Sequence, residues 1–183
     1  MSTKIQANIE DLYRVPENGK AEIVNGELRL MSPTGGVPNR AAGRIYISLD
    51  EYERRMQSGY AFTDNAGFIV DLPNRCSFSP DAAFYAGELR GGKFLQGAPV
   101  FAVEVRSEED YGPAAERAMS EKRADYFAAG TLVVWDVDVL KDMVVRVYRA
   151  GDAMNPTIYS NGQIAEAEPA LPGWSIPVDE LLP

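Results

Sequence analysis

Glu104 and Lys122 stand where the pattern around them calls for apolar residues, and Asp81 stands at the entry to a strand just upstream. In the run Val100 to Arg106 a period of two puts Val100, Ala102, Glu104 and Arg106 on one face and Phe101, Val103 and Val105 on the other. The run reads as a strand covered on both sides. An unpaired carboxylate buried there costs several kcal/mol, so Glu104 has to be protonated, ion-paired or metal-bound. A salt bridge to Arg106 or to a neighbouring strand meets the same requirement. Projected at about 100° per residue, the Ala-rich segment that follows gathers Ala115, Ala118, Met119, Lys122, Tyr126 and Ala129 into one arc, with Glu116, Arg117, Glu121 and Arg123 off it. The stem of Lys122 either snorkels to the surface or turns its ammonium inward to Glu104, because a helix directly after a strand packs back onto that sheet. Pro80 fixes the approach to the strand that Asp81 enters. Two carboxylates close in space repel unless a cation lies between them, and Mg²⁺ is commonly held by one or two carboxylates together with water and phosphate oxygens.

A sheet and a helix must bring these three residues together. Residues 8–14 start with an Asn cap and read as a short helix ended by Pro16. In AEIVNGELRLM, Asn25 and Gly26 separate two alternating runs, which predicts a β-hairpin. SPTGGVPN is rich in breakers and predicts an exposed loop, and RAAGRIYISLDEYERRM has helical spacing at Ile45, Leu49 and Tyr52. GFIVDL, SFSPDAAFYA, APVFAVEVRS, TLVVWDVD and MVVRVYRA predict the strands of a core sheet, interrupted by one helix from Pro113 to Ala129 that ends before Gly130. The expected order is helix, hairpin, helix, three strands, helix, two strands, in an α/β (α+β) architecture with a mixed sheet.

The bulk properties restrict the chemistry. A length of 183 residues with 45% hydrophobic content suits one domain over residues 1–183. No apolar run approaches the roughly 20 residues of a membrane span, and the polar N-terminus lacks a signal-peptide core, so a soluble cytoplasmic protein is expected. With Cys76 as the single cysteine and no histidine, the chain has no set of ligands for a structural zinc, and any metal must be a hard, oxygen-bound one. The formal charge of −9 opposes long-range attraction to nucleic acid and leaves binding to local basic groups such as Arg54 with Arg55, Arg90 with Lys93, or Arg117 with Arg123.

Several motifs in order carry a family resemblance: Glu22 in the hairpin AEIVNGEL, the loop MSP, Pro80-Asp81 before a strand, the strand EVRS from Glu104 to Ser107, and KRADYFAAG followed by VVWDVD. From Ala21 to Leu182 the chain resembles the Uma2 family, also called DUF820, of restriction-endonuclease-like proteins. The resemblance implies the PD-(D/E)xK nuclease fold, a mixed central sheet flanked by helices, with Asp81 and Glu104 as metal ligands. In that superfamily the lysine stands two residues after the second acid. Here that place is held by Arg106, and the resemblance moves the lysine role to Lys122. The family's histidine after the MSP loop is replaced by Asn39, which can donate a hydrogen bond but cannot shuttle a proton near neutral pH. Glu22 is either an accessory site residue or a plain strand acid. The function that follows is a metal-dependent endonuclease hydrolysing DNA phosphodiesters, with Mg²⁺ or Mn²⁺ held by Asp81, Glu104 and the carbonyl of Val105. The alternative is a catalytically silent nuclease-fold protein acting as a binding or structural module, and a hydrolase of small phosphorylated molecules is a third reading. A homodimer, using an exposed strand edge such as VVRVYR, completes the expectation.

Overall fold

Asn25 and Gly26 both take positive φ, 52° and 71°, and close the hairpin their types predict. A computed structural model describes residues 6–15 and 19–183. The elements in chain order are α1 (Ile9–Tyr13), β1 (Lys20–Val24), β2 (Glu27–Met31), α2 (Gly36–Met56), β3 (Tyr60–Thr63), β4 (Phe68–Leu72), β5 (Arg75–Phe78) and β6 (Ala82–Tyr85). They continue with β7 (Leu95–Gln96), β8 (Phe101–Val105), α3 (Pro113–Ala128), β9 (Val133–Asp138), β10 (Val144–Arg149), β11 (Asp152–Ser160), β12 (Ile164–Glu166) and β13 (Ser175–Pro177). Asn8 caps α1 in a capping box with Asp11. The expected stop at Pro16 lies outside the described residues.

A six-stranded mixed sheet, ordered β11-β10-β9-β8-β6-β3, is the centre of the molecule. Its β8 and β9 run parallel, with Glu104 opposite Asp136, and α3 forms the crossover between them. One face is covered by α2 through Ala41, Ile45, Leu49 and Tyr52, and by a C-terminal group around Leu171, Trp174, Ile176 and Leu181. The other face packs Ala83, Tyr85, Ala102 and Val134 against Tyr126 of α3 and against Phe68 and Phe78. Those two phenylalanines belong to a second sheet, ordered β2-β1-β5-β4-β7, built on the N-terminal hairpin. β12 and β13 pair separately.

The architecture expected from the sequence is observed, a mixed sheet flanked by helices, with differences that have local causes. SFSPDAAFYA is not one strand. The chain leaves β5 in the second sheet and enters β6 in the central one across Ser79, Pro80 and Asp81, where Pro80 cannot donate to a ladder. GFIVDL likewise joins the second sheet as β4. α2 begins at Gly36, inside the segment read as a loop, because Pro38 in a first helical turn sacrifices no intrahelical donor. VVRVYR is not an edge: β10 lies between β9 and β11, and β11, β3 and the short strands escaped local reading.

Candidate active site

The break between β5 and β6 places Asp81 against the end of β8. Its backbone N–H donates to the Val103 carbonyl over 2.9 Å, and its Oδ2 accepts the Val105 N–H at 2.7 Å. Asp81 thus extends the β6–β8 pairing by one side chain, which fixes its carboxylate beside Glu104. The contact seen at Val105 is through its amide. Oδ1 of Asp81 accepts from Lys20 Nζ at 2.8 Å.

Glu104 leaves β8 on the same face as Ala102, towards α3, as alternation requires. Lys122 and Tyr126 are four residues apart and meet it from one face of the helix. Lys122 Nζ lies 2.8 Å from Oε1 and 2.9 Å from Oε2, and the Tyr126 hydroxyl donates to Oε1 at 2.7 Å. The snorkelling alternative is excluded by this geometry, since the ammonium turns inward. The Tyr126 ring stacks on Phe78 with centroids 4.0 Å apart, which holds the hydroxyl in place.

Glu22 belongs to the same cluster. Its Oε1 lies 2.9 Å from Lys122 Nζ and accepts the Ser79 N–H at 2.8 Å, and its Oε2 accepts from Arg75 Nη1 at 2.6 Å. Arg75 is anchored in turn by Asp125 of α3, 2.8 Å from its Nε, and Asn74 donates to the other Asp125 oxygen at 2.9 Å. Lys122 is therefore one ammonium between two acids from different sheets.

Charge is uneven across the cluster. Burial pushes the Glu104 carboxyl above the usual carboxylate range; Lys122 pulls it down, but the neighbouring charges of Asp81 and Glu22 keep it raised. Burial also opposes the charge on Glu22, but Lys122 and Arg75 outweigh it and hold that carboxyl low. Lys122 is raised against its own burial by Glu104 and Glu22, and it stays protonated.

Arg106 and Asn39 are not brought to the cluster. Arg106 is buried on the Glu104 face but makes a two-pronged pair with Asp136, Nε to Oδ1 and Nη2 to Oδ2 both 2.7 Å, and bonds Glu116 as well. It joins β8, β9 and α3, so the ion pair from Arg106 to Glu104 considered from the sequence does not form. Asn39 is exposed in the first turns of α2. The helix projection also missed Arg123, which is half-buried with its guanidinium 4.0 Å above the Tyr148 ring, while Ala118 is exposed. Arg117 and Arg123 therefore do not form a basic surface pair.

Sequence reasoning overlooked Lys20, Asp64, Arg75 and Asp125. One signal was present: alternation along β1 sets Lys20 on the same face as Glu22. Among the described residues no three acids form a ready metal-holding group. Asp81 and Glu104 nevertheless suit a hard cation by donor chemistry, since Mg²⁺ completes its shell with water and phosphate oxygens.

In fold the protein is nuclease-like. The crystal structure of a "putative nuclease belonging to DUF820" from Anabaena variabilis ATCC 29413 matches it with a TM-score of 0.75 at 14% identity, covering 96% of this chain and 97% of that one. The Uma2 family model, described as "Putative restriction endonuclease", matches residues 9–179, and the chain belongs to that family. A search of curated proteins found no match. Among the described residues no helix is long and apolar enough to cross a membrane.

Proposed function

We propose that the protein is a metal-dependent endonuclease that hydrolyses phosphodiester bonds of DNA. The observation that carries this reading is the convergence of Asp81 from the β5–β6 connection, Glu104 from β8 and Lys122 from α3 on one cluster in a chain of a nuclease-like family. Asp81 and Glu104, with the Val105 carbonyl, are the groups to hold Mg²⁺ or Mn²⁺. The ion supplies charge neutralisation at the phosphate and acidifies water. Lys122, kept protonated by two acids, presents a fixed positive charge to the phosphate as negative charge develops there. Glu22 positions Lys122, and Tyr126 holds the Glu104 carboxylate in one orientation. Arg106 has no part in the reaction, because both of its prongs are spent on Asp136.

The protein is expected to work in the cytoplasm as a homodimer, which would present two sites to the two strands of a duplex. The edges of the central sheet are β11 and β3, and β11 takes the place of VVRVYR as the strand for such pairing. A one-chain mass by light scattering would remove this part.

One observation favours the silent alternative, a binding or structural module: all six carboxylate oxygens of Glu22, Asp81 and Glu104 already contact protein donors. Cleavage panels on single-stranded, duplex and branched DNA with Mg²⁺ and Mn²⁺ separate the two readings. The endonuclease reading expects cleavage that Asp81→Ala and Glu104→Ala abolish while melting stays cooperative. Cleavage that survives both changes refutes the site, and absence of metal-dependent cleavage on every substrate favours the silent module.

A further inference from the structure

Lys20 has no role in the reaction outlined above, yet its ammonium is bound directly to the Asp81 carboxylate. It lies on β1 in the same alternation as Glu22, only 13% of its side chain is exposed, and its ammonium sits 2.8 Å from Asp81 Oδ1 and 2.7 Å from Asp64 Oδ1. Asp64 follows β3 directly, so Lys20 joins both sheets across the cluster. One cation bridging two carboxylates from different elements is the arrangement by which a metal ion holds acids together.

We propose that Lys20 is a built-in cation of this site: its ammonium takes the place of a second metal ion between Asp64 and Asp81, so that the site binds one divalent ion rather than two. The proposal rests on the metal-dependent reading above and specifies its stoichiometry. Charge supports it independently. Two neighbouring ion-paired groups make up the cluster, Lys20 with Asp64 and Asp81, and Arg75 and Lys122 with Glu22, Glu104 and Asp125; five carboxylates against three cations leave a net −2, the complement of one divalent ion. Without Lys20 the balance is −3, and Asp64 and Asp81 become a pair of hard oxygen ligands with nothing between them. Two-metal sites, with ions about 3.5–4 Å apart, need a second such pair. Here an ammonium carried by the chain itself fills it through two ion pairs. Because the ammonium repels an incoming cation as well as neutralising Asp81, Lys20 also sets the affinity of the ion that does bind.

Isothermal titration of Mn²⁺ into the full chain, with melting curves in parallel, tests this on the wild type and on Lys20→Met, Lys20→Gln and Lys20→Arg. Lys20→Gln keeps hydrogen-bond donors for both acids and serves if Lys20→Met does not fold. The expected result is one Mn²⁺ per wild-type chain and per Lys20→Arg chain. In the neutral variants a second ion appears or the first binds at least about tenfold tighter, since like charges a few ångströms apart repel even at an effective dielectric of about 20. Neutral variants that bind one ion with wild-type or weaker affinity overturn the assignment of Lys20 and leave the metal reading standing. If no variant binds Mn²⁺, the metal reading falls and takes this proposal with it.

Discussion

Replacing Lys122 with methionine removes the ammonium and keeps most of the stem. Three contacts disappear, to Glu22 Oε1 at 2.9 Å and to both oxygens of Glu104 at 2.8 and 2.9 Å. Breaking a fully buried ion pair from one side costs about 3–5 kcal/mol. Two features reduce that here. The Lys122 and Glu104 side chains are 17% and 22% exposed, and Glu22 keeps Arg75 and the Ser79 N–H. Glu104 can also take up a proton, its carboxyl being already raised by burial and by the charges of Asp81 and Glu22. The expected loss is about 2–3 kcal/mol. For a chain of this size that lowers Tm by about 4–12 °C in calorimetry. A double-mutant cycle with Glu104→Gln isolates the pair, because a neutral amide has no need of the ammonium. The two changes together should cost less than their sum by about 1–2 kcal/mol. A Lys122→Met protein that melts within about 1 °C of the wild type, or strict additivity in the cycle, would refute the claim that this lysine is held inward by Glu104 and Glu22.

Arg106→Lys keeps the charge but loses the fork that grips Asp136, and it should cost about 2 kcal/mol in urea denaturation. Metal-dependent cleavage, measured where both proteins are folded, should be unchanged; a gain would mean that this position still serves as the site lysine. Asp138 gives a pH test away from the site. Burial opposes its charge, but the Lys141 N–H, the Tyr111 hydroxyl and the Leu140 N–H outweigh burial and depress its pKa in the folded state. A depressed carboxyl contributes stability above its unfolded pKa of about 4 and loses it as pH falls through the lower folded value. Asp138→Asn should therefore be less stable than the wild type at pH 7, with the gap closing towards pH 3; a gap of constant size across that range would contradict the hydrogen-bond assignment.

The fate of each charged residue shows which parts of this protein were legible before folding. Local rules were enough for the Asn25-Gly26 hairpin, for the capped α1, for the helix between Pro113 and Gly130, and for the face of β8 that carries Glu104. They also placed Lys122 in an apolar arc facing the sheet, because that arc and the crossover from β8 to β9 depend on residues close in sequence, but they left its ammonium free to snorkel, and only the contacts with Glu22 and Glu104 turned it inward. Arg106 is different. Its alternation was read correctly, but the partner it found, Asp136, lies 30 positions away on a strand whose register no local pattern specifies.

Tertiary structure alone decided the rest. It split SFSPDAAFYA between two sheets at Pro80, which is what sets Asp81 beside Val105. It brought Arg75 to Glu22 and Asp125 across 53 and 50 positions and so made the hairpin acid part of the cluster. It left Asn39 exposed on α2 and put Lys20 on Asp81. Periodicity reports which face a side chain occupies, because that follows from the backbone repeat of its own segment. It does not report what the face meets, because that is set by the pairing of strands far apart in the chain, where a buried charge has to find its counter-charge or pay the full cost of lost hydration.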